Sequence, residues 1–272
     1  MCLVVVLLLW SGEAQAGQLA DRMAQFPNWE SKPPVTAAQG DLIYPAWMEG
    51  TWNVTSTLVE QVAPLAPEVV TPGFESNRRY LNQPVSFLVR FQAVTPQPSA
   101  IAENLVPLKL QNTARSPLPQ PGETPTVVAD REFNGLNIGK AYLGDRTIQS
   151  VKVDPNSPNR QITFLRTGRQ LISIVTGRAE ETPAPDRFIG TEVSNQIFRG
   201  IPQPYFNQVE TTTAYQRRES PTLAIEADQV TAIYLSPQDA DYFKALERPV
   251  ALYRYRLELT PVEVVNSVAI NA

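Results

Sequence analysis

The chain of 272 residues contains no histidine, and its one cysteine is Cys2. Ser-His-Asp and Cys-His catalytic arrangements are therefore excluded, as are Cys/His zinc sites and any intrachain disulfide. Charge is sparse too. Asp, Glu, Lys and Arg make up 18% of the residues, and 23 basic against 27 acidic side chains leave a net charge of −4 with no block of one sign. Such a balance implies no nucleic-acid partner and no anionic membrane surface. Long apolar runs are also missing: the nine residues from Cys2 to Trp10, behind Met1, are too few to cross a bilayer as a helix.

That short run is followed by Ala14-Gln15-Ala16, the pattern of a secretory signal with cleavage after Ala16. No Lys or Arg precedes Arg22, so either the leader starts further upstream or the segment is something else. If residues 1–16 leave as a signal peptide, Cys2 leaves with them, and no transmembrane span is expected in the mature chain.

What the sequence does have is proline. The count of 25 in 272 residues is roughly 9%, against a typical usage of about 5%. Proline is excluded from helix interiors and central strands, so the chain must be cut into short elements. An apolar fraction of 43% is still enough to build a core.

After Gly50 the pattern alternates with period two. Trp52, Val54, Ser56 and Leu58 make one face, and Thr51, Asn53, Thr55 and Thr57 the other. Val85, Phe87, Val89 and Phe91 repeat the rhythm, as do Tyr253, Tyr255, Leu257 and Leu259. Between them lie further short runs bounded by Pro, Gly, Asn or Asp, giving about ten strands. One late helix is expected at 237–247, with Ser236 as its cap, Pro237 in its first turn, and Pro249 as its stop. At Asn134-Gly135 a type I′ turn and a short helix remain rivals.

The reading is an all-β chain: an antiparallel barrel of about ten strands with a short N-terminal helical arm and one late helix. Its parts are an arm at 17–43, a barrel domain at 44–262 containing a Pro-rich loop at 95–125, and a tail at 263–272. A meander closed on itself is the simplest way to remove exposed edges.

Gly50-Thr51-Trp52 at the mouth of the first long strand resembles the Gly-x-Trp signature of lipocalin and calycin barrels. That resemblance implies that Gly50 turns the chain while Trp52 plugs one end of the barrel, with Arg254 or Arg256 stacked on the indole. The longer stretch from Tyr44 to Tyr80 is similar to a family of cyanobacterial and chloroplast proteins of unknown function. It implies a photosynthetic source and an exported protein of the thylakoid lumen or periplasm.

Ligand-binding candidates are Trp52, Phe87, Phe91, Tyr253 and Tyr255, with Leu171 and Val175 on faces that could line the same cavity. Trp52 reads first as a core plug with no direct role in binding, since buried aromatics usually serve packing. Arg78 and Arg79 in a rim loop could meet an anion, or form rim salt bridges; of Arg217 and Arg218 only one can point inward. Asp130 and Glu132 fall on one face if 126–133 is a strand, and could share acid–base work with Tyr80. No catalytic residue, metal or cofactor is assigned. The expected function is non-catalytic binding of a small hydrophobic or amphipathic ligand, a pigment or lipid. The alternatives are an assembly factor for a thylakoid membrane complex, or an enzyme working without His and Cys.

Overall fold

A computed structural model describes residues 17–95, 125–220 and 223–262. Residues 1–16, expected to form a signal peptide, nearly all of the Pro-rich loop and the C-terminal tail lie outside the described residues. Helix α1 (Gln18–Ala24) and the two-residue strand β1 (Thr36–Ala37) belong to the arm. Then come β2 (Gly50–Val62), β3 (Pro84–Val94), β4 (Thr126–Ala129) and helix α2 (Arg131–Leu143). The chain continues through β5 (Ile148–Asp154), β6 (Ser157–Leu165), β7 (Gln170–Ala184), β8 (Arg187–Arg199) and β9 (Tyr205–Arg217). It closes with β10 (Ile225–Leu235), the single-turn α3 (Tyr242–Ala245) and β11 (Ala251–Pro261).

All the ladders are antiparallel, in the order β4-β3-β2-β11-β10-β9-β8-β7-β6-β5, with β1 added to the far half of β7. The sheet curls into a barrel-like half-cylinder, the all-β architecture the alternation implies. Strand parity sorts its side chains. On the concave side Trp52, Val54, Val89, Phe91, Leu257 and Leu259 form the largest buried cluster. On the convex side Val230, Ala232, Tyr234 and Leu252 would be exposed, and the arm covers them with Trp29, Met23 and Phe26.

Two expectations need correction. The sheet is not hydrogen-bonded shut: among the described residues no ladder joins β4 to β5. Helix α2 crosses that gap instead: of the turn and the short helix that Asn134-Gly135 allows, the helix forms, and the strand in 126–133 ends at Ala129. Its N-cap is Asp130, whose Oδ1 accepts from Phe133 N–H at 3.0 Å. The Asn134 side chain then takes the place of a strand neighbour for Arg90, accepting from its N–H at 2.6 Å and donating to its carbonyl at 3.1 Å. At the other edge, Glu132 Oε1 accepts from the backbone N–H of Val153 in β5 at 2.8 Å. A helix thus satisfies edge groups that a closing strand would otherwise pair.

The second correction concerns the late helix, which shrinks to the four residues of α3. Its capping signals are spent on turns: Ser236 Oγ accepts from Gln238 N–H at 3.4 Å, and Asp239 Oδ1 from Asp241 N–H at 2.9 Å.

Candidate functional site

Helix α2 approaches the sheet through glycine. A Cβ on Gly135 would lie 2.8 Å from Gln161 Nε2, and one on Gly139 would lie 3.2 Å from Ile148 Cγ1. With that stripe pressed on β5 and β6, the neighbouring stripe Asn134, Ile138 and Tyr142, spaced by four residues, faces the concave sheet. Between helix and sheet lies a cavity of about 320 Å³. Ile138, 37% exposed, stands at its rim.

The walls are apolar side chains of β2, β3, β4 and β11, Phe87 and Phe91 among them, together with four tyrosines: Tyr44, Tyr142, Tyr215 and Tyr255. None of the lining residues is Asp, Glu, Lys or Arg. Tyr44 is fixed by its backbone N–H, which donates to Val127 O at 2.8 Å, and its ring meets those of Phe91 and Phe188 at centroid distances of 4.7 and 5.5 Å. At the other end the Tyr142 hydroxyl is 3.0 Å from Ser56 Oγ, linking α2 to β2.

The phenols are held neutral. Burial pushes Tyr215 up to about 12. It also raises Tyr44 well above its ordinary value, with Tyr215 and Glu192 adding to the shift. Burial, then Tyr142 and Tyr253, raise Tyr255; burial raises Tyr142 against the lowering effect of its hydrogen bond with Ser56. Charges close to Tyr44 are paired with each other rather than with the cavity. Arg131 binds Glu192 at 2.6 Å and Asp41 at 3.1 Å, and Arg178 binds Glu192 at 2.7 Å. Burial alone would raise the Glu192 carboxyl, but the two guanidinium groups outweigh it and hold the carboxyl below its ordinary value.

Of the residues singled out in the sequence, Phe87, Phe91 and Tyr255 line the cavity. Trp52 is buried beside it, with its indole N–H donated to Met48 O at 2.8 Å, and Gly50 turns the chain into β2 with φ of +132°. Tyr253 shares the parity of Tyr255 but lies beyond the cavity, packed on Phe74 at 5.9 Å and accepting from Asn77 Nδ2 at 3.2 Å. Leu171 and Val175 on β7 are not among its walls.

The arginines all go elsewhere. Arg254 pairs with Asp228 at 2.6 Å and lies over Phe26 at 5.2 Å, while Arg256 meets Glu258 at 3.5 Å; neither stacks on Trp52. Both sit at even positions of β11, and the even face is the convex one. Arg78 pairs with Glu75 at 2.7 Å, and Arg79 donates to the Tyr80 hydroxyl at 2.8 Å, in an exposed 3-10 turn. Arg217 and Arg218 are both exposed, and Arg218 pairs with Glu226. Asp130 is bound to Arg90 at 2.6 Å and Glu132 to β5, so neither acid joins Tyr80 in a shared site.

Sequence reasoning missed Tyr44, Tyr142 and Tyr215. Tyr142 depends on recognising α2, and the four-residue spacing from Ile138 was the available signal. Among the described residues no cluster of three or more acidic, Cys or His side chains could hold a metal ion, and no helix is long and apolar enough to cross a membrane. Comparisons with curated proteins and with solved structures give no match. A family model described as a domain of unknown function, DUF6816, matches residues 36–263, which takes in every strand from β1 to β11 and helix α2, and the chain therefore belongs to the DUF6816 family.

Proposed function

We propose that the protein is a non-catalytic carrier that holds one small hydrophobic or amphipathic molecule between α2 and the concave sheet. The observation that carries this reading is the cavity itself: apolar walls, four phenols and no charge. Drug-sized ligands occupy pockets of about 300–1,000 Å³, and 320 Å³ is at the small end of that range. A ring or short chain fits whole, and a larger lipid or pigment would place only its head or tail inside. The resemblance to cyanobacterial and chloroplast proteins supports an exported protein of the thylakoid lumen or periplasm, where pigments and lipids are available ligands.

The test is mass spectrometry of organic extracts from protein purified natively, alongside titration with a hydrophobic fluorescent probe. One organic molecule near equimolar ratio, and loss of probe binding in Ala129→Phe, which fills the cavity from β4, are expected. An empty protein that also ignores the probe would end this reading.

One feature favours a second reading, that of an interaction or assembly factor for a membrane complex. Phe243 is 82% exposed and Leu246 is 52% exposed at the tip between β10 and β11, an apolar pair suited to a protein contact. Co-purification of such a complex with wild-type protein, but not with Phe243→Ser, is the result this reading requires.

A further inference from the structure

Eight of the lining side chains are polar: the four tyrosines, Ser56, Asn134, Gln229 and Thr231. Several have partners. Asn134 is committed to the backbone of Arg90 at both ends of its amide, Tyr142 and Ser56 bind each other, and Gln229 Oε1 accepts from Thr213 Oγ1 at 3.2 Å. Among the described residues the hydroxyls of Tyr44 and Tyr255 have no hydrogen-bond partner. They also lie at different ends. Tyr44 sits with Phe91, Phe188 and Tyr215, and Tyr255 is the neighbour of Tyr142. Both residues are half-buried and line the cavity, so each hydroxyl is a donor whose hydrogen bond an acceptor on a ligand can complete. Burial keeps both protonated, so each has a proton to give.

Among the described residues no Lys or Arg side chain lines the cavity, and Arg131 and Arg178 outside it are already committed to Asp41 and Glu192. A carboxylate or phosphate entering this space would lose its hydration and gain no cation. An ammonium group would equally lack a carboxylate among the walls. Resting on the carrier reading above, we infer that the site selects an uncharged ring compound bearing carbonyl or ether oxygens, which accept from Tyr44 and Tyr255. Fatty acids, phospholipid headgroups and other ions are rejected.

The test uses three probes with the same ring: naphthalene, 2-acetonaphthone and 2-naphthoate, titrated calorimetrically into the full chain at pH 8. The ketone is expected to bind roughly three- to tenfold more tightly than naphthalene, the worth of one hydrogen bond to a neutral group. The carboxylate should bind at least about a hundredfold more weakly than the ketone, because its charge is buried without a partner. Tyr44→Phe and Tyr255→Phe, checked by circular dichroism for an intact fold, should between them bring the ketone-to-naphthalene ratio close to one. Carboxylate binding as tight as the ketone would overturn the selectivity while leaving the carrier reading in place, as would a ratio unmoved by either variant. If none of the three probes binds, the carrier reading fails and this inference fails with it.

Discussion

Replacing Arg22 by Met should strongly destabilise the contact between the arm and the convex face. Glu210 is fully buried there, and its carboxylate is held from four directions. Oε1 accepts from Arg22 Nε at 2.7 Å and Thr212 Oγ1 at 2.8 Å; Oε2 accepts from Arg22 Nη2 at 2.7 Å and the Tyr234 hydroxyl at 2.6 Å. Arg22 also donates to Ser31 O at 2.9 Å and lies 3.9 Å from the centroid of Trp29. Methionine keeps most of the buried stem and removes the charge. The carboxylate is then left buried and uncompensated, which costs about 3–5 kcal/mol. For a chain of this size each kcal/mol lowers Tm by about 2–4 °C, so a drop of about 6–20 °C is expected. Thermal unfolding followed by circular dichroism measures it.

Arg22→Met combined with Glu210→Met removes both charges and leaves an apolar contact, so it should recover much of the loss, as replaced buried pairs often do. A loss below about 3 °C in Arg22→Met, or no recovery in the double variant, would refute the idea that this ion pair fastens the arm to the sheet.

Other expectations follow from the same structure. Glu192 has its carboxyl held below the ordinary value of 4.5 in the folded state, so its stabilising contribution is present above pH 4.5 and is lost as pH falls through the depressed value. Glu192→Gln should therefore flatten the acid limb of a Tm-versus-pH curve; an unchanged limb would contradict the Arg131–Glu192–Arg178 arrangement. The buried phenols act at the opposite extreme. Their folded-state values are raised, so the stability they contribute is complete below pH 10 and, for Tyr215, lost between 10 and about 12. Near-ultraviolet phenolate absorbance should show these tyrosines ionising only with unfolding, and smooth titration of all nine tyrosines near pH 10 in folded protein would be contrary. Gly135→Leu forces a side chain against Gln161 and Val151, and overpacking of this kind costs about 1–3 kcal/mol. It should also weaken probe binding by displacing α2, whereas wild-type affinity in that variant would argue against α2 as the cavity's roof.

On β2, β3 and β11 strand parity was legible in the sequence, and with it the face each of them buries; on β7 it was not, since Leu171 and Val175 lie outside the cavity walls. Phe87, Phe91 and Tyr255 were found that way. Height along a strand was not legible. Tyr253 shares its face with Tyr255, yet two residues of a strand span about 7 Å, enough to move the ring out of the cavity and onto Phe74. Face assignment also failed for Arg254 and Arg256, which were placed by resemblance on Trp52 although parity puts them opposite it. Helix α2 was obscure for a physical reason. It docks through two glycines and an asparagine rather than through an apolar stripe, so periodicity gives little signal. Tyr142 stayed hidden with it, as did Tyr44, whose place depends on a single bridge to Val127.

The most direct test of the central claim is a methyl-resolved NMR titration of the full chain with naphthalene. Saturable, single-site shifts confined to the methyl groups of Val54, Val89, Ile138, Leu257 and Leu259 are predicted, because these line the space under α2. Shifts centred instead on Leu246 at the exposed tip, or no saturable shifts at all, would contradict a ligand cavity between α2 and the sheet.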